Sequence, residues 1–80
     1  MMDFYHIYAQ FQSHGRIYSR SFSVVAATPE EAYDKGVTRL QQSPEAPQKA
    51  SIAVSVYGRS VLSRAYDQND YMLTLKESAK

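Results

Sequence analysis

The chain contains no cysteine and no tryptophan, only three glycines and three prolines, and no long apolar run. Without cysteine there is no disulfide staple and no thiolate zinc site, which fits a reducing, cytoplasmic setting. No stretch approaches the ~20 apolar residues of a membrane span. The start "MMDFYHIYAQ" lacks the basic residues and apolar run of a signal peptide. Neither sign of charge dominates: nine Lys and Arg stand against eight Asp and Glu. A net charge of +1 exerts no strong pull toward nucleic acid or an anionic membrane. Eighty residues make a single domain, 1–80. A chain this short buries only roughly 60–65% of its unfolded surface, so its core is thin.

What the chain does have is tyrosine. Seven Tyr and three Phe supply the aromatic content. A Tyr ring is apolar and its tip polar, which suits surfaces that are wet at one time and covered at another.

Residues 3–12, "DFYHIYAQFQ", alternate with period two, the mark of a strand. Tyr5, Ile7, Ala9 and Phe11 fall on one side; Phe4, His6, Tyr8 and Gln10 fall on the other. "SHG" at 13–15 signals a turn, and 16–27 alternate again. A two-residue loop at His14-Gly15 sets Phe11 opposite Tyr18, Ala9 opposite Arg20, Ile7 opposite Phe22 and Tyr5 opposite Val24. Three of these four pairs are large and apolar, and the reverse side pairs His6, Tyr8 and Gln10 with serines. A slipped register would spoil both alternations. The first hairpin therefore spans 3–27.

Thr28-Pro29-Glu30-Glu31 starts a helix. The Thr28 hydroxyl can accept from a first-turn N–H, Pro29 sits where its missing N–H costs nothing, and Glu31 can reach back to the cap. The helix spans 29–42 and stops before Pro44. Ala32, Tyr33, Gly36, Val37 and Leu40 form its apolar stripe. Gly36 costs about 1 kcal/mol against Ala inside a helix, which points to close approach of helix and sheet. Residues 43–50 read as a loop and 51–66 as a second hairpin turning at Gly58-Arg59. "YMLTL" at 71–75 reads as a short fifth strand, with a short helix as the alternative, and 76–80 as a solvated tail.

The fold class is therefore α+β: an antiparallel sheet of four to five strands in the order β-β-α-β-β, with a last β at 71–75, and one helix packed on one face. The other face has no helix to cover it. It is expected to carry Phe4, His6, Tyr8, Gln10, Ser19, Ser21, Ser23 and Val25 from the first hairpin. The second adds Ser51, Ala53, Ser55, Tyr57, Leu62, Arg64 and Tyr66. Tyr with Ser and Arg resembles the composition of binding surfaces, although solvated sheet faces are also polar and rich in serine. The candidate partner-binding residues on this face and its rims are Tyr8, Arg16, Ser21, Arg59, Arg64 and Tyr66.

Signatures of catalysis are missing. His6 and His14 fall in a strand and a turn, with no cysteine to complete a metal site. "VVAATPEEA" lacks the glycines and lysine of a phosphate loop. "DQND" at 67–70 lacks the Gly and Glu of a calcium loop. No catalytic residue, cofactor or metal is expected. Five Arg beside several Tyr allow base stacking on a sheet, but a net charge of +1 argues against strong phosphate binding.

The order hairpin, "ATPEEAYDKGV", second hairpin, in under a hundred residues without cysteine, resembles small phage and mobile-element proteins. It is similar in layout, over about residues 3–75, to anti-CRISPR proteins that inhibit type I CRISPR–Cas systems. That resemblance implies an inhibitor that coats a crRNA-guided surveillance complex, a host protein assembly, and blocks target DNA. The same corner resembles the N-terminal part of HicB-like antitoxins, whose Pro-Gly-Cys-type segment is missing here. A small nucleic-acid-binding or antitoxin-like regulator and a homodimer paired through its sheet are the alternative readings.

Overall fold

The computed structural model describes residues 2–78. Strands β1 (Asp3–Ser13) and β2 (Arg16–Ala26) are followed by helix α1 (Pro29–Gln41). Strands β3 (Lys49–Val56) and β4 (Arg59–Asp67) come next, and helix α2 (Gln68–Ser78) closes the described chain. The strands form one antiparallel sheet in the order β2-β1-β3-β4.

The first hairpin has the expected register throughout: Tyr5 faces Val24, Ile7 faces Phe22, Ala9 faces Arg20 and Phe11 faces Tyr18. Its two-residue loop holds His14 at φ 52° and Gly15 at φ 76°. Positive φ at both positions matches the right-handed twist of the flanking strands. Tyr5, Ile7, Ala9 and Phe11 are buried, and the residues between them are exposed.

The cap of α1 is built as its sequence indicates. Glu31 N–H donates to the Thr28 hydroxyl at 3.1 Å, and Ala27 N–H donates to the Glu31 carboxylate at 2.9 Å. That second bond holds the Glu31 carboxyl below the ordinary range. Ala32, Tyr33, Gly36, Val37 and Leu40 are the buried stripe. They meet Ile7, Ile52 and Val54 from the two central strands in one core. A side chain at position 36 would lie 3.1 Å from Ile7 Cγ2, so the glycine is what lets the helix sit this close.

The second hairpin departs from expectation. Its turn is Tyr57–Gly58, both at positive φ, one residue earlier than Gly58-Arg59. The ladder then slips: Ser55 faces Ser60 but Val54 faces Leu62, leaving Val61 as an extra residue. A bulge of one residue exchanges the two faces of a strand. Leu62, Arg64 and Tyr66 therefore face the helix side, opposite Val54, Ile52 and Ala50. Ser63 and Ala65 take the reverse side.

Residues 71–75 are helical, the alternative to a fifth strand, so the sheet has the lower of the two expected strand counts and a second helix joins the one expected. Asp67 starts α2 by accepting from the Asn69 N–H at 3.0 Å. Tyr71 then packs edge-on to Tyr66 and Tyr33, with ring centroids 5.8 and 6.2 Å away. Its hydroxyl donates to Asp34 at 3.0 Å. The helix enters the expected tail as far as Ser78; Ala79 and Lys80 lie outside the described residues. Among the described residues no helix is long and apolar enough to cross a membrane. Because Tyr33 and Tyr66 belong to the core beneath α1, α2 is anchored on the same side of the sheet as α1. No described helix or loop covers the reverse side.

Candidate interaction face

The helix-free face is built by alternation. Phe4, His6, Tyr8 and Gln10 of β1 point to it because their neighbours Tyr5, Ile7 and Ala9 are buried. The paired residues of β2 are Val25, Ser23, Ser21 and Ser19, and the β3 partners of His6, Tyr8 and Gln10 are Ser55, Ala53 and Ser51. Ser63 and Ala65 of β4 complete it. Among these residues there is no Lys, Arg, Asp or Glu. By the same alternation Lys49 and Asp67 also belong to this face, at the corner where β3 begins and β4 ends, and there they pair with each other at 3.9 Å.

At one end the face is apolar. Phe4 is 77% exposed and stands opposite Val25, itself 40% exposed. Tyr8 in the middle is 43% exposed. Its hydroxyl shares a hydrogen bond with Ser19 Oγ at 3.2 Å, while His6 Nε2 lies 2.8 Å from Ser21 Oγ. Each of these two side chains leans to the diagonal neighbour of its direct partner, so ring and imidazole lie along the sheet and hold an ordered polar centre. The face thus combines rigid aromatic area with serine hydroxyls.

The six sequence candidates do not come together. Tyr8 and Ser21 are neighbours at the centre of the face. Arg16 follows the first turn on the helix side, and Arg59 follows the second turn opposite Val56. Arg64 and Tyr66 do not belong to the helix-free face, for the bulge turns both away from it. Arg64 lies over the Tyr33 ring at 4.8 Å and pairs with Glu30 at 3.2 Å. Tyr66 is only 3% exposed, and its hydroxyl accepts from Gln41 Nε2 at 2.8 Å. Burial raises the hydroxyl pKa of Tyr33 and Tyr66, and pushes that of Tyr71 up to about 12 with the Asp34 hydrogen bond adding to it. These tyrosines hold the two helices to the sheet.

Tyr57, expected as a strand residue on the open face and not among the six candidates, is instead the first residue of the second turn. It is 85% exposed at φ 53°, a conformation that bulky residues rarely adopt. Its hydroxyl donates to Asp3 Oδ1 at 2.8 Å, and that bond raises its pKa. A hairpin turn that favours Asn or Asp here carries an exposed aromatic ring instead, beside the first residues of β1. The sequence signal for this turn is the Tyr-Gly dipeptide at 57–58.

The Ser21–His6 contact has the reach of a nucleophile and a base, but no carboxylate among the described residues orients the imidazole, and the pair lies open on a flat sheet. Among the described residues no three His, Asp or Glu side chains could hold a metal. No protein-family model matches the chain, and neither a curated protein nor a solved structure matches it.

Proposed function

We propose that the chain is a non-catalytic protein-binding module that contacts its partner through the helix-free face of the sheet. On this reading the partner is a type I crRNA-guided surveillance complex in the host cytoplasm, and binding blocks recognition of target DNA, as the layout's resemblance to anti-CRISPR proteins implies. One observation carries the binding reading: an uncharged expanse of Phe4, Tyr8, Val25 and serines that no described element covers. Contiguous exposed apolar residues ringed by polar ones mark interaction sites. The Lys that this face carries, Lys49 at its corner, is paired with Asp67, which weighs against nucleic acid, whose phosphates need free cations. The test is expression in cells carrying an active type I system. Loss of interference, with Cas subunits co-purifying on the tagged chain, is expected. Intact interference and no Cas subunit recovered would remove the inhibitor reading.

The uncharged centre of the face also permits pairing with a second copy, because no like charges would meet across it. Elution at twice the monomer mass, reduced to the monomer by Tyr8→Glu, would establish that reading instead.

A further inference from the structure

The outer edge of β2 presents a surface separate from the helix-free face. β2 ends the sheet on one side, so alternate residues direct their backbone N–H and C=O groups away from β1. Two contacts identify which ones. The Ser19 carbonyl accepts from the Arg20 guanidinium at 3.0 Å, and the Val25 carbonyl accepts from the Lys35 ammonium. Residues two and four apart on a strand share a direction. Ser21 and Ser23 therefore also turn their backbone groups outward, between the two capped carbonyls. No described side chain caps either of them.

The helix-side flank of this open stretch is cationic. Arg16 and Arg20 project there with Phe22, and Lys35 and Arg39 come from α1. Glu45 pairs with Arg20 and Glu31 with Lys35. Arg16 and Arg39 have no carboxylate partner among the described residues. Arg39 lies over the Phe22 ring at 4.7 Å, on the rim of a groove of about 430 Å³ also lined by Arg20, Ser21 and Leu40. A strand added beside Ser21 and Ser23 would place every second side chain over this groove.

We propose that the β2 edge captures an extended acidic segment of a partner protein by strand addition. The backbone groups of Ser21 and Ser23 supply the pairing, and Arg39 with Arg16 receives the partner's carboxylates. A second copy is the poorer occupant, because β2 pairing with β2 brings the same cations together. The edge and the helix-free face are distinct surfaces, so one can fail without the other.

The test is fluorescence polarisation with the full chain and a short fluorescein-labelled peptide of alternating glutamate and valine. Saturable binding that weakens with added salt is expected, with a lysine–valine peptide of the same pattern binding at least about tenfold more weakly, in line with a few charge-assisted bonds. Ser23→Pro removes an outward N–H without touching the β1 ladder, a place where an edge strand tolerates proline. Arg39→Glu reverses the groove charge. Each variant, shown folded by circular dichroism, is expected to weaken binding about tenfold. No saturable binding of the glutamate–valine peptide, equal binding of both peptides, or unaltered affinity in either folded variant would overturn the proposal. A dimer of the chain that Ser23→Pro dissolves would overturn it too, since a second copy would then hold the edge.

Discussion

Replacing Gly36 by alanine sets two effects of opposite sign against each other. Alanine gains about 1 kcal/mol in helix propensity. Its Cβ, however, would lie 3.1, 3.3 and 3.4 Å from Cγ2, Cγ1 and Cδ1 of Ile7, inside the optimal carbon–carbon separation. Ile7 cannot withdraw: it is 1% exposed and sits between Phe22 on one neighbouring strand and Val54 on the other. Overpacking of this kind costs about 1–3 kcal/mol. Gly36→Ala is therefore expected to destabilise the fold by about 1 kcal/mol net, lowering the thermal midpoint by roughly 4–8 °C in a domain of this size. The discriminating comparison is a double-mutant cycle with Ile7→Ala, which deletes all three contacting atoms. In that background Gly36→Ala should stabilise by about 1 kcal/mol, a coupling of roughly 2 kcal/mol. Ile7→Ala alone costs about 2–5 kcal/mol, so urea unfolding followed by circular dichroism is best run in sucrose for all four proteins. A Gly36→Ala variant that stabilises the parent as much as it stabilises the Ile7→Ala protein would refute the close approach of α1 to β1.

Thr28→Ala removes the α1 cap and should cost about 1 kcal/mol in urea unfolding. Glu31 titrates below its ordinary range in the fold, so its contribution is present above the unfolded carboxylate range and fades as pH falls through the lowered value; Glu31→Gln should flatten that acid-side slope. Tyr71 behaves in the opposite sense. With its pKa raised from 10.0 to about 12, its contribution is full below pH 10 and is lost as pH rises toward 12, and Tyr71→Phe should flatten the alkaline limb. Tyr57→Asn places a residue that tolerates positive φ in the second turn. It should raise stability by about 0.5–1 kcal/mol in thermal unfolding.

The first hairpin and α1 were legible because independent signals coincide there. His14-Gly15 fixes a two-residue loop, and both alternations agree with it. Thr28, Pro29 and Glu31 fix the helix start, and the buried stripe ending at Leu40 fixes its inner face. The second hairpin offered one signal, Gly58, and it served equally for two turns. Nothing in "SVLSRAY" marks Val61 as the extra residue, since a bulge leaves the alternation of side chains intact on each side of it. That one residue moved Arg64 and Tyr66 from the expected contact face to the helix side. Strand and helix stayed open at 71–75 because Tyr71 and Leu73 suit a strand as well as one helical turn. The decision came from tertiary contacts of Tyr71 with Tyr33, Tyr66 and Asp34, which lie far apart in sequence. The candidate face was legible over β1 and β2, where the register was, and misplaced over β4.

On the proposed function, the sheet is shielded on one side and acts through the other. The direct test is binding of the purified chain to a purified type I surveillance complex by biolayer interferometry, beside a Phe4→Glu/Tyr8→Glu variant. Both substitutions lie on exposed positions of the helix-free face, so the variant should keep its circular dichroism spectrum and thermal midpoint. The parent is expected to bind and to exclude target DNA while the folded variant does neither. A parent that does not bind, or a variant that binds as tightly as the parent, would contradict the proposed function.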